Sequence, residues 1–177
     1  MKIVLVSNTA WYLWNFRRGL IEALKARGAD VYIVVPYDET IPFLERIGCE
    51  VVHVFINSKG INPVEEIILL YKYLGVINRI KPDRVLTFTI KPVIYVGLVS
   101  RWLDIVSIPT ITGLGTAFIR QTPITSVVRF LYKLALSSAY KIYFQNKDDF
   151  KLFTTHRIAK AEVSEVVPGS GINITRF

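Results

Sequence analysis

Seven short runs rich in Val and Ile recur along the chain: KIVLVS (2 to 7), DVYIVVP (30 to 36), EVVHVFI (50 to 56), DRVLTFT (83 to 89), IPTITG (108 to 113), KIYFQN (141 to 146) and VSEVVP (163 to 168). Their apolar character is continuous rather than alternating, as in strands of a parallel sheet covered on both faces. Helical patterns lie between them. Residues 15 to 27 put Phe16, Leu20, Ala23 and Leu24 on one stripe, with Asn15 placed to cap the start and Gly28 to stop the end. Residues 63 to 80 align Val64, Ile67, Tyr71, Leu74 and Ile77, beginning on Pro63 and ending before Pro82. Residues 124 to 138 align Ile124, Val127, Val128, Leu131, Leu134 and Ala135. Strands alternating with helices throughout predict an α/β fold: an open, doubly wound parallel sheet of about seven strands with helices on both faces, in a single domain.

A chain of 177 residues is long enough to close such a core. No apolar run approaches the ~18 residues needed to cross a bilayer, and the N-terminus lacks a signal-type apolar region with a cleavage site. The expectation is a cytoplasmic protein. Cys49 is the sole cysteine, which excludes an internal disulfide, fits a reducing compartment and reads as a small buried apolar residue. The net charge of +8 is concentrated. From Arg84 to Lys141 seven basic residues stand against one acid, Asp104, a net of +6 in one block. Such a face attracts phosphate on a nucleic acid, a membrane surface or a phosphorylated ligand.

Ligands of doubly wound sheets sit beyond the C-terminal ends of the strands, so the loops there carry the functional reading. The first, SNTAWYLW, has no glycine. Without glycines the backbone cannot approach a pyrophosphate closely, which argues against a dinucleotide. It offers instead the hydrogen-bonding Ser7, Asn8 and Thr9, then Trp11, Tyr12 and Trp14, whose rings either stack on sugars or pack under a neighbouring loop. Asp38 stands where a ribose-binding acid would be, as one ordinary loop acid. The stretch TFTIKP supplies Thr87, Thr89 and Lys91 ahead of a helix begun by Pro92; Lys91 is either an anion ligand at a helix N-terminus or a solvated cation.

The stretch TITGLGTAFIRQT combines Gly113, Gly115 and Thr116 with Phe118, Ile119 and Arg120. Apolar residues beside a basic one in a loop, followed by a helix carrying Arg129, Phe130 and Lys133 off its core stripe, suit an interfacial membrane contact; the alternative folds Phe118 and Ile119 into the core. His53 and His156 have no partner at ligand spacing, so no metal site is expected. No Ser-His-Asp set, phosphate loop or carboxylate pair can be assembled, and catalytic residues stay unassigned.

Taken in order, KIVLVSNTAWYLWNFRRGLIEALKARGADVYIVVP, GCEVVHVFINSKGINP, KPDRVLTFTIKP, IPTITGLGTAF, FQNKDD and VVPGSGINITRF resemble the N-terminal domain of bacterial GT-B glycosyltransferases of the family 4 type, from Met1 to Phe177. The resemblance implies a Rossmann-like acceptor-binding domain over 1–168 and the start of an interdomain linker over 169–177. It further implies a C-terminal domain, on the same or a separate chain, that binds the nucleotide-sugar donor. Catalysis would be metal-independent and would retain the anomeric configuration, no cofactor would bind to this domain, and the chain alone would be inactive. A lipid-linked or glycan acceptor for cell-surface polysaccharide or glycoconjugate synthesis and a peripheral position on the inner membrane face follow from the same likeness. The likeness also puts Asn8, Thr9, Gly113, Gly115 and Thr116 near the interdomain cleft with Lys91 as a candidate for an acceptor phosphate; the chemistry of the loops adds Trp11 and Thr89 to the acceptor contacts, and sets Phe118, Arg120, Arg129, Phe130 and Lys133 toward an anionic membrane. Leu86, where relatives often carry histidine, and Asn173, where an acid is usual, depart from the pattern. Half of a nucleotide-sugar epimerase and a non-catalytic basic module are the rival readings. Nucleic acid is not an expected partner, because none of its familiar binding motifs is present.

Overall fold

A computed structural model describes residues 1–58, 60–113 and 123–170. All seven apolar runs form strands: β1 (Lys2–Val6), β2 (Asp30–Val35), β3 (Glu50–His53), β4 (Arg84–Phe88), β5 (Val106–Ile111), β6 (Ile142–Phe144) and β7 (Ser164–Val166). They pair in parallel in the order β3-β2-β1-β4-β5-β6-β7. The order reverses between β1 and β4, where Val6 lies opposite Thr87. That is the switch point at which crossovers leave to opposite faces and open a crevice at the strand ends.

The crossovers are α1 (Ala10–Phe16), α2 (Arg18–Ala26), α3 (Ile41–Arg46), α4 (Pro63–Ile80), α5 (Ile90–Trp102), α6 (Pro123–Leu136) and α7 (Lys147–Thr155). One face of the central strands (Ile3, Leu5, Val31, Ile33, Val35, Leu86, Phe88) packs on Ala10, Leu13, Ile21, Ile41 and Leu44 from α1 to α3. The other face (Val4, Val6, Val34, Val85) packs on Leu69, Tyr73, Ile77 and Ile80 of α4 with Val96 and Val99 of α5. A third cluster joins α5, α6 and α7 over β5 and β6. There α5 approaches α6 so closely that a Cβ built on Gly97 would stand 2.9 Å from the Ala135 methyl.

Four details depart from the sequence reading. The first helix starts five residues early and breaks at Arg17, so Asn15 is inside it and donates from Nδ2 to the Trp11 carbonyl (2.9 Å); Thr9 is the cap. The cause lies far along the chain, in Asp38, described below. In α4 the buried residues are Leu69, Tyr73, Ile77 and Ile80, while the predicted Val64, Ile67 and Tyr71 are exposed. A helix apolar nearly all round gives its period no power to choose a face. In α6 the buried residues are Thr125, Tyr132, Ala135 and Leu136, and the predicted Ile124 and Val127 are exposed. Finally, β3 stops at His53 rather than Ile56, although the Val54 N–H still reaches the Val35 carbonyl (3.0 Å). Gly28 does end α2, at φ 76°, a conformation open to glycine.

Candidate functional site

At the switch point the chain leaves β1 through Ser7, Asn8 and Thr9. The Thr9 hydroxyl accepts the Tyr12 N–H (3.1 Å) and caps α1. Asp38, from the loop after β2, accepts the Trp11 N–H (2.9 Å) on one oxygen and the Thr40 N–H (2.9 Å) and hydroxyl on the other. Burial pushes the Asp38 carboxyl up, but the bonds from Thr40, Trp11 and Ala10 outweigh it and leave it below its ordinary value. The amides that open α1 are thus already bound to a fixed carboxylate and a hydroxyl. A phosphate would have to displace Asp38 to use them. That is the physical counterpart of a glycine-free loop.

Across the crevice Thr89 ends β4 and begins α5. Its backbone sits at φ 69°, ψ 161°, a region almost reserved for glycine and severe for a β-branched residue. Its hydroxyl makes no cap bond to α5; it accepts the Asn8 N–H (3.2 Å) and donates to the Phe88 carbonyl. Thr89 therefore ties the end of β4 to the end of β1, and backbone strain of this kind persists where surrounding contacts over-determine it. Thr87, two residues earlier, is buried with its hydroxyl unpartnered among the described residues, as is Ser7.

Lys91 is not the free cation the sequence suggested. It lies in the first turn of α5, which starts at Ile90 rather than Pro92, and its ammonium meets the carbonyls of Asn57 (2.6 Å) and Gly60 (2.9 Å) and the Glu66 carboxylate. Three N–H donors meet three acceptors, which leaves none for a ligand phosphate. Lys91 instead ties the carbonyls of Asn57 and Gly60 to Glu66 of α4 and to the start of α5. Of the aromatics, Trp14 packs on Phe43 (ring centroids 5.3 Å) under the Arg18 guanidinium, the bland alternative. Trp11 is 53% exposed and only edges against Phe16, leaving its indole face open.

Sequence reasoning passed over Arg17. Its guanidinium lies over the Phe88 ring (4.7 Å to the centroid) and the Tyr12 ring (5.6 Å), and donates from Nη2 to the Tyr12 hydroxyl (2.9 Å). A signal was present: Arg18 has Glu22 one turn on and pairs with it (2.5 Å), whereas Arg17 has only apolar residues three and four positions away on either side.

Gly113 follows β5 at φ 136° with open space where a side chain would be. Gly115, Thr116, Phe118, Ile119 and Arg120 lie outside the described residues. On α6, Phe130 (60%) and Lys133 are exposed, joined by Val127 and Ile124 one and two turns before Phe130. Arg129 is half-buried and already engaged within the fold, so it is not the free headgroup ligand expected. No helix among the described residues is long and apolar enough to cross a membrane.

Comparison with known proteins adds a family. A family model described as "Glycosyl transferase 4-like" matches residues 2–146. The N,N'-diacetylbacillosaminyl-diphospho-undecaprenol alpha-1,3-N-acetylgalactosaminyltransferase of Campylobacter jejuni is 25% identical over 182 residues, spanning all of this chain and 48% of that protein. The crystal structure of Anabaena HepE with UDP and glucose superposes at a TM-score of 0.68 with 16% identity, covering 99% of this chain and 46% of that one. UDP-GlcNAc 2-epimerase from Methanocaldococcus jannaschii gives 0.66 with 17% identity, over 94% and 45%. At such identities the two structures speak to the fold alone, a Rossmann-like domain of the GT-B kind. The chain spans about half the length of the relatives it matches. With a seven-stranded parallel sheet reversing at β1 and β4, and a family match over residues 2–146, the chain belongs to the glycosyl transferase 4-like family.

Proposed function

We propose that this chain is the acceptor-binding part of a retaining, metal-independent glycosyltransferase that moves a sugar from a nucleotide-sugar to a polyprenyl-linked or glycan acceptor for cell-surface polysaccharide or glycoconjugate synthesis. The observation that carries the reading is the closed N-terminus of α1. Its opening amides are bound by Asp38 and Thr9, so the usual place for a nucleotide diphosphate in a doubly wound domain is taken. The C. jejuni relative, matched over the whole chain, is named for an undecaprenol diphosphate-linked acceptor, which supports the acceptor class. The donor then belongs to a C-terminal domain on the same or another chain, and this chain alone is inactive.

Asn8, Thr9, Trp11, Thr89 and Gly113 form the acceptor side of the cleft, joined by Gly115 and Thr116. Lys91 acts by positioning the 57–60 loop. Phe118, Arg120, Phe130 and Lys133 meet an anionic membrane at its cytoplasmic face, with Ile124 and Val127 extending the apolar row. The membrane role is checked by flotation with vesicles containing anionic lipid, where Phe130→Ser with Lys133→Glu lowers the bound fraction severalfold. The acceptor role is checked by titration calorimetry: the chain binds a polyprenyl-diphosphate sugar and not a UDP-sugar. Tight binding of the UDP-sugar with none of the lipid-linked sugar overturns the reading in favour of half an epimerase.

A further inference from the structure

The cleft at the switch point holds one cation whose charge nothing in the described fold answers. Three basic residues belong to the segments that follow β1 and β4, Arg17 and Arg18 after β1 and Lys91 after β4. Arg18 is paired with Glu22, and Lys91 with Glu66 and two carbonyls. Among the described residues Arg17 meets no carboxylate. Among those residues its Nε is buried with no hydrogen-bond partner, and its one polar contact is the bond to the Tyr12 hydroxyl. The guanidinium also lies over Phe88 at the very end of β4 and beside Tyr12 of α1. Phe88 is joined through Thr89 to Asn8, so the guanidinium stands at the mouth of the crevice between β1 and β4.

The geometry points to a phosphate site. We infer that Arg17 binds a diphosphate ester through the fork of its guanidinium, in place of the helix amides that Asp38 occupies. Contact with the two rings and the bond to the Tyr12 hydroxyl restrict the side chain before the ligand arrives, so less freedom is lost when two N–H groups meet two phosphate oxygens. The arrangement also separates recognition of charge from the backbone: α1 keeps its own carboxylate, and the ligand's charge is left to Arg17. For the source of the diphosphate the inference rests on the acceptor reading above, which makes it a polyprenyl diphosphate rather than a nucleotide.

The test is titration calorimetry of the 177-residue chain and its Arg17→Lys and Arg17→Gln variants with farnesyl diphosphate, inorganic pyrophosphate and UDP, each variant checked by circular dichroism and melting. Farnesyl diphosphate and pyrophosphate are expected to bind, and UDP to bind less well than farnesyl diphosphate. Arg17→Lys, which keeps the charge and loses the fork, weakens both diphosphates about tenfold, and Arg17→Gln weakens them further. If the glutamine variant fails to fold, the lysine variant decides. Should UDP bind as tightly as farnesyl diphosphate and be weakened equally by the substitutions, the phosphate site stands and the acceptor reading falls. Preference for farnesyl diphosphate with no loss in either variant does the reverse: the acceptor reading stands and the role of Arg17 is overturned. Absence of any diphosphate binding to the unaltered chain also overturns it.

Discussion

Two helices start on either side of the switch point, and they solve the same problem in opposite ways. At α1 the partial positive charge of the exposed amides is met by an anion, Asp38, and a capping hydroxyl, Thr9. At α5 the cap residue gives its helix no side-chain bond, its backbone is strained, and a cation, Lys91, stands in the first turn. The α1 end is chemically complete. The α5 end is held in place by its neighbours: Glu66 and two loop carbonyls around Lys91, Asn8 on Thr89, and Ala135 against Gly97. The difference is between an end satisfied by its own cap and an end whose backbone strain is maintained from outside, the kind of strain that clusters at ligand clamps and switch regions.

The largest effect is expected where the external support of α5 is removed. Lys91→Met leaves Glu66, only 16% exposed, without its cation and frees the loop carbonyls; a loss of about 3 kcal/mol in urea unfolding is expected. Next comes Gly97→Val. Its Cβ would sit 2.9 Å from the Ala135 methyl and 3.1 Å from the Ala135 carbonyl oxygen, so α5 must move away from α6, at a cost of ~1–3 kcal/mol.

Asp38→Asn opens the other end. It should cost ~1 kcal/mol and, by exposing the α1 amides to an anion, raise affinity for phosphate. Because the folded carboxyl is held below its unfolded value of about 3.9, the stability it contributes is present above that pH and is lost as the pH falls through the lower folded value. In acid titrations of stability the Asn variant should lack that component. The smallest change in stability is expected for Thr89→Gly. Glycine tolerates φ 69°, so relief of strain offsets the lost bond to Asn8 to within about 1 kcal/mol, while acceptor binding falls. A large loss of stability there would mean that Thr89 is a structural clamp and that the two ends differ less than argued.

The strands were legible because runs such as KIVLVS and DVYIVVP are apolar without alternation, which only a doubly covered sheet can bury. The helix faces were not. PVEEIILLYKYLGVINRI offers apolar residues around most of its circumference, and tertiary packing chose Leu69 and Tyr73 over Val64 and Ile67. The true start of α1 was hidden for a different reason, since the residue that binds its amides is 27 positions away and looks like an ordinary loop acid. Lys91 does stand in the first turn of α5, but its three acceptors come from a distant loop and helix that no local pattern brings to it. Arg17 alone carried a local clue, the missing acid one turn away from it.

The measurement that tests the account most directly is a backbone amide NMR titration of the chain with farnesyl diphosphate. The account expects the shifts to concentrate on Asn8 and Thr89 and on the Arg17 side chain, with the Trp11 and Tyr12 amides keeping their protection against exchange because Asp38 and Thr9 stay bound. Shifts centred on the groove lined by His53, Phe55, Tyr71 and Arg79, with the switch point silent, would contradict it.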